Sequence, residues 1–153
     1  MSSQIGKKIT VSIFGESHGP AIGMVMDNPP VGIKIDTDYI LQQNARRAPG
    51  NDPISTPRKE KDLPEFLSGV KEGVTTGAPL TAIIRNTNTK SSDYASLMQC
   101  PRPSHSDYAA YVHYKGFNDI TGGGHFSGRL TAPIVTAGSI LRLYLKEKNI
   151  EIG

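Results

Sequence analysis

The stretch from Lys8 to Asp27 constrains the fold more than any other part of the chain. From Lys8 to Phe14 the order Lys, Ile, Thr, Val, Ser, Ile, Phe alternates polar with apolar side chains, the period-two signature of a strand with one buried face. It runs straight into Gly15-Glu16-Ser17-His18-Gly19. A second strand, Ala21 to Asp27, follows after so short a connection that an antiparallel hairpin is the natural reading, and Asn28-Pro29-Pro30 breaks it. His18 is thereby expected at a strand-to-strand turn. The glycines around it let the backbone turn tightly and approach a ligand.

Downstream, Asp36 or Thr37 can cap a helix from about Asp38 to Arg47, because a short side-chain oxygen accepts from the unpaired first-turn amides, and Pro49-Gly50 ends it. Residues Asn51 to Pro64 hold three prolines and little apolar material, which predicts an exposed loop. Strands are expected around Phe66 to Val74 and Leu80 to Arg85, then a polar loop from Asn86 to Ser92. A short helix from Asp107 to Lys115 would be capped by Ser106. Leu130, Ile134, Leu141 and Leu145 then recur at helical spacing, with Ala137 and Gly138 on the same side, so the small residues predict close packing against another helix. Strands on both sides of a helix and a long helix last make the expected class α+β, with mostly antiparallel strands layered with helices.

Length and composition bound what such a fold does. The 153 residues suit one domain, and 37% hydrophobic with 20% charged residues is the composition of a globular chain. Seventeen basic against 14 acidic side chains leave +3, too little for a dedicated nucleic-acid surface and enough for local clusters that meet a small anion. Cys100 is the only cysteine, so no internal disulfide or cysteine-based zinc site is expected, and a cytoplasmic setting fits best. Nowhere does an apolar run reach the length of about 18 residues that a membrane span needs.

Three constellations carry chemistry. Histidine suits proton transfer near neutral pH, its ordinary pKa being about 6.5, and His18 sits in the first glycine turn. His105 lies in the second, Pro101-Arg102-Pro103-Ser104-His105-Ser106-Asp107, where prolines fix the backbone and Arg102 can pair with phosphate or carboxylate. The third is Gly122-Gly123-Gly124-His125-Phe126-Ser127-Gly128-Arg129, ahead of the last helix. Free amides at a helix start carry partial positive charge, so a glycine-rich entry with a Ser cap and an Arg suits an anion. It is neither a Walker loop nor a dinucleotide fingerprint. Each also has a plain structural reading: a surface histidine, a proline-led helix entry, a flexible turn. Arg46-Arg47 closing the first helix, and Arg58, Lys59 and Lys61 beyond it, are read either as anion contacts or as a helix-dipole complement and solvated face.

Taken in order, these segments resemble the chorismate synthases along nearly the whole chain. The residues that carry the resemblance are Gly15-Glu16-Ser17-His18-Gly19, Arg46-Arg47-Ala48-Pro49-Gly50, Glu72-Gly73-Val74-Thr75-Thr76-Gly77-Ala78-Pro79, Arg102-Pro103-Ser104-His105-Ser106-Asp107-Tyr108 and Gly122-Gly123-Gly124 with Ser127-Gly128-Arg129. The resemblance implies a sandwich of helices between sheets, usually a homotetramer. It also implies conversion of 5-enolpyruvylshikimate 3-phosphate to chorismate, with reduced FMN required although no net redox occurs, and NADPH as a candidate reductant of the flavin. By similarity His18 would protonate the departing phosphate and His105 would protonate or hydrogen-bond the reduced flavin. Arg47 aligns with a position linked to nicotinamide cofactor or substrate anion, Ser127 with His125 and Phe126 would face FMN, and Arg46, Arg102 and Arg129 would meet substrate anions. No metal is expected.

There are departures from the family pattern. His125-Phe126 stand where many members have Arg-Ser, Leu130 where an acidic residue is common, Pro53 where a second cofactor-linked arginine often lies, and Ser104 where glycine is common. Members of the family also run to more than twice this length. Residues 1–153 are therefore read as the N-terminal part of one domain, not expected to turn over alone. A non-catalytic anion-binding or assembly domain is the alternative. A nucleic-acid module is disfavoured, because the basic residues are few and not interleaved with stacking aromatics.

Overall fold

The computed structural model describes residues 3–48, 62–87 and 100–152. In chain order the elements are β1 (Gln4–Gly6), β2 (Thr10–Gly15), β3 (Ala21–Asp27), α1 (Thr37–Arg47), β4 (Glu65–Ser68), β5 (Val70–Lys71), β6 (Val74–Thr75), β7 (Leu80–Arg85), α2 (Asp107–His113) and α3 (Thr131–Glu147). Tight 3-10 turns at Thr121–Phe126 and Gly128–Leu130 precede α3. The class is α+β, as the alternation predicted. β2 and β3 form the hairpin, in a register that sets Val11 opposite Met26, Ile13 opposite Met24 and Gly15 opposite Ile22. β3 is the centre of a five-stranded antiparallel sheet ordered β1-β2-β3-β7-β4.

One face of that sheet makes the core. Ile22, Met24 and Met26 of β3 lie beside Ile84, Ala82 and Leu80 of β7, and all six are buried. Fully burying one such side chain is worth roughly 1.5–3 kcal/mol against leaving it exposed. α3 and α1 cover this face with Ala132, Ala137, Ile140 and Ile40. The two helices also join through a buried hydrogen bond from Asn44 Nδ2 to Thr136 Oγ1, 3.1 Å. α1 begins as expected, Asp36 accepting from the Tyr39 amide at 2.9 Å. It ends at Ala48, whose φ of −55° and ψ of 147° are extended, the conformation forced on a residue that precedes proline.

Four expectations change. The single strand from Phe66 to Val74 is three short ones. The register shifts between Phe66 and Ser68, Gly69 takes a φ of +79°, and Glu72 and Gly73 both have positive φ, as a tight two-residue hairpin turn between β5 and β6 requires. On α3 the buried stripe is Ala132, Pro133, Thr136, Ala137, Ser139 and Ile140, while Ile134 and Gly138 are exposed. The face is set by small residues that admit α1, so an isoleucine one position round the helix from Pro133 stays outside. α2 stops at His113, and the Ser106 side chain makes no capping bond. The loop from Asn51 to Pro64 is not wholly exposed, since Asp62 and Pro64 are buried; residues 51–61 lie outside the described residues, as do 88–92 of the second polar loop. Among the described residues no helix is long and apolar enough to cross a membrane.

Candidate functional site

The hairpin tip between β2 and β3 is held from behind by Asn86, at the end of β7. Its amide nitrogen donates to the carbonyls of Glu16 (3.0 Å) and Gly19 (2.8 Å), and its backbone N–H donates to Pro20 O (3.1 Å). One side chain thus spans both ends of the loop that carries His18. The Asn86 carbonyl oxygen accepts from Arg129 Nε at 3.2 Å, which ties the tip to the start of α3.

The glycine turn meets the same tip. Ser17 N–H donates to Gly124 O at 3.1 Å, and His125 Nδ1–H donates to Gly15 O at 2.9 Å. With its proton on Nδ1, neutral His125 accepts at Nε2 from the Ser3 hydroxyl, 2.7 Å away. Gly122, Gly123 and Gly124 all have positive φ, and Gly124 pairs φ 54° with ψ −127°, a region closed to side chains. A Cβ on Gly122 would collide with the His18 ring, and one on Gly123 would stand 3.1 Å from Cε1 and 3.2 Å from Nε2 of His105. The two imidazoles therefore rest on consecutive glycines. A Cβ on Gly124 would strike the Asp119 carbonyl oxygen. Gly124→Ala is expected to lower stability by upward of about 2 kcal/mol, read from urea unfolding of this chain.

His105 belongs to a closed ionic unit with Arg102 and Asp107. Asp107 Oδ2 accepts from Arg102 Nε at 2.7 Å and from its backbone N–H at 3.1 Å, while Oδ1 accepts from Arg102 Nη2 at 2.9 Å and lies 2.5 Å from His105 Nδ1. The hydrogen bonds and charge of Arg102 hold the Asp107 carboxyl well below the usual carboxylate range, against the opposing effect of burial. Ser104, in the loop between them, has a φ of +61°, the left-handed region where glycine is easiest.

A second ionic cluster lies behind the hairpin. Buried Asp62 pairs with Arg47 Nη2 at 2.6 Å through one oxygen and with Arg129 Nη1 through the other. Arg47 Nη1 also reaches Thr131 Oγ1 at 3.4 Å, and its Nε is buried with no hydrogen-bond partner among the described residues.

Comparison with known proteins adds the lineage. The family model described as "Chorismate synthase" matches residues 9–153. The chain belongs to the chorismate synthase family. It is 48% identical over 147 residues to a chorismate synthase of Sulfurovum sp., which covers 96% of this chain and 41% of that protein. With the chorismate synthase of Aeropyrum pernix it shares 46% over 148 residues, 97% of this chain and 39% of the relative. A crystal structure titled as a chorismate synthase superposes with a TM-score of 0.68 at 27% identity, over 96% of this chain and 36% of that one. The chain spans about two fifths of the length of these curated relatives.

Within this chorismate synthase frame, the sequence-predicted residues divide into groups. His18, His105 and Arg102 converge on the glycine turn. Ser127 accepts from the Arg129 amide at 3.3 Å and so starts the turn that leads into α3. Arg47 and Arg129 are joined by Asp62, whereas Arg46 is exposed and bonded to Gln43 at 2.9 Å. His125 and Phe126 line a cleft of about 380 Å³ with Phe14, Glu16, Tyr114 and Asp119, and neither His18 nor His105 lines it. His125 joins Ser3 to the hairpin through its two ring nitrogens. Three residues hold the arrangement without a site role being evident from the sequence: Asp107, Asp62 and Asn86. The spacing Arg102-x-x-His105-x-Asp107 is a local signal for the first; the other two act across distant segments. Pro53 lies outside the described residues, and among those described no cluster of three or more His, Cys, Asp or Glu side chains is placed to hold a metal ion.

Proposed function

We propose that this chain contributes the N-terminal part of a chorismate synthase site, and that the whole protein converts 5-enolpyruvylshikimate 3-phosphate to chorismate by losing phosphate and a ring proton across the 1,4 positions. The observation that carries this reading is the seating of His18 and His105 on Gly122 and Gly123. His18 is the acid toward the departing phosphate: a nearby dianion favours the imidazolium and keeps a proton available near neutral pH. His105 donates to, or accepts from, the flavin, and Arg102 and Arg129 bring positive charge to the substrate's anionic groups, with Arg46 as an outer contact.

The residues fit a flavin. Ser127 offers a hydroxyl, the Cβ side of Gly128 is open, and the Nε2 edge of His105 lies at Gly123 beside the Arg102 guanidinium. His105, Ser127 and the backbone beside Phe126 would hold FMN, with Arg47 serving a nicotinamide reductant such as NADPH. Reduced FMN supplies, when bound, a reductant that the net reaction does not consume. We further read the whole protein as a cytoplasmic homotetramer acting in aromatic amino acid biosynthesis.

The test is release of phosphate and chorismate in equal amounts by the full-length protein with reduced FMN. Binding of the substrate without release would return the reading to an anion-binding or assembly module. For residues 1–153 alone, fluorescence titration is expected to give weak or absent FMN binding and no turnover. A tight one-to-one complex would show that this part holds the flavin pocket by itself.

A further inference from the structure

We infer that Asp107 is a positioning residue that fixes the tautomer of His105, so that Nδ1 carries the proton and Nε2 faces the glycine turn as an acceptor when the ring is neutral and as a donor only when it is doubly protonated. This bears on catalysis through the role proposed for His105. The tautomer itself depends on neither substrate nor flavin.

The argument is one of hydrogen-bond accounting. Asp107 is buried and paired with Arg102 through both oxygens, so it is ionised and has only lone pairs to offer. His105 Nδ1 lies 2.5 Å from Oδ1, a distance that requires a proton between them, and that proton comes from the ring. Arg102 Nη2 lies 3.2 Å from Nδ1 and 3.3 Å from Nε2. An atom so nearly equidistant from the two ring nitrogens lies over the face of the imidazole and along neither lone pair, so Arg102 does not choose between the tautomers. The tautomer is therefore set by the Asp107 carboxylate. The opposite edge, Cε1 to Nε2, is the one turned toward Gly123.

A simpler role for Asp107 would be to receive the free amides of α2. Its oxygens are instead used backwards, on the Arg102 side chain and backbone and on His105, and Ser106 occupies the N-cap position. The sequence places Asp107 at the first position of a helix capped by Ser106. The structure assigns Asp107 to the histidine.

The experiment uses this chain with ¹⁵N-labelled histidine, and records two-bond proton–nitrogen correlations above the imidazole titration range. The expected wild-type pattern for His105 is a protonated Nδ1 and a bare Nε2. In Asp107→Ala the ratio of the two tautomers should move toward Nε2–H by about tenfold or more. His125, whose Nδ1–H is held by Gly15 O, is the internal control and should keep its pattern. If the alanine variant loses the His125 pattern as well, Asp107→Asn decides: the isosteric amide has one acceptor oxygen for Arg102 and His105 together, and the same shift is expected at smaller size. An Nε2–H tautomer in the wild type would overturn the inference. So would an unchanged His105 pattern in whichever variant keeps the His125 control. Failure here leaves the catalytic reading standing, and normal turnover in a His105 variant of the full-length protein would leave the tautomer result standing.

Discussion

Alanine at His18 or at His105, introduced separately into the full-length protein, is expected to lower turnover by about two orders of magnitude or more, the loss typical when a positioned proton donor is removed. The expectation rests on how each ring is held. His18 is fixed by a loop whose two ends hang on Asn86, and His105 by Asp107; both rings rest on glycines, where an added Cβ would collide with His18 and crowd His105. Groups held this firmly lose little further freedom when substrate arrives, so their removal should appear in kcat more than in KM. Phosphate release and chorismate absorbance together provide the measurement. A near-normal rate in either variant would take that histidine out of the chemistry.

The second large effect concerns stability. Asp62→Ala leaves Arg47 and Arg129 without their shared counter-charge, and the Arg129 side chain is only 6% exposed. Removing one partner from a buried ion pair costs about 3–5 kcal/mol, because the charge left behind has neither water nor a partner. Against a total stability on the order of 5–15 kcal/mol, that is a large share. Urea unfolding of this chain should show the midpoint falling steeply at unchanged slope. A shift below about 1 kcal/mol would mean that the two guanidiniums reach water as surface pairs do.

What was legible in the sequence was local. The β2–β3 hairpin was readable because alternation, glycine turn and breaker all fall within about twenty residues, and Asp36 because its acceptor lies one turn from the amide it caps. α3 was readable as a helix but not in its orientation. Periodicity ranks residues by hydrophobicity, whereas the buried face was chosen by size, so that Thr136 and Ser139 went in and Ile134 stayed out. The strand from Phe66 was over-extended because Gly69 and Glu72-Gly73 change the backbone direction without interrupting the apolar pattern. In the candidate site, both histidines and Arg102, which lie together at the glycine turn, stand out in the sequence by residue type in rigid turns. Asp62 does not, since it lies in a loop read as exposed and its partners come from α1 and the entry to α3.

The two rings seated on Gly122 and Gly123 have one more property. Successive Cα atoms across a trans peptide are about 3.8 Å apart, a length fixed by bonds and not by packing. The glycine pair therefore acts as a covalent ruler between the places where His18 and His105 sit. Warming or loosening the sheet can tilt the two imidazoles against each other, but a single inserted residue between positions 122 and 123 would lengthen the ruler by a whole unit and separate them.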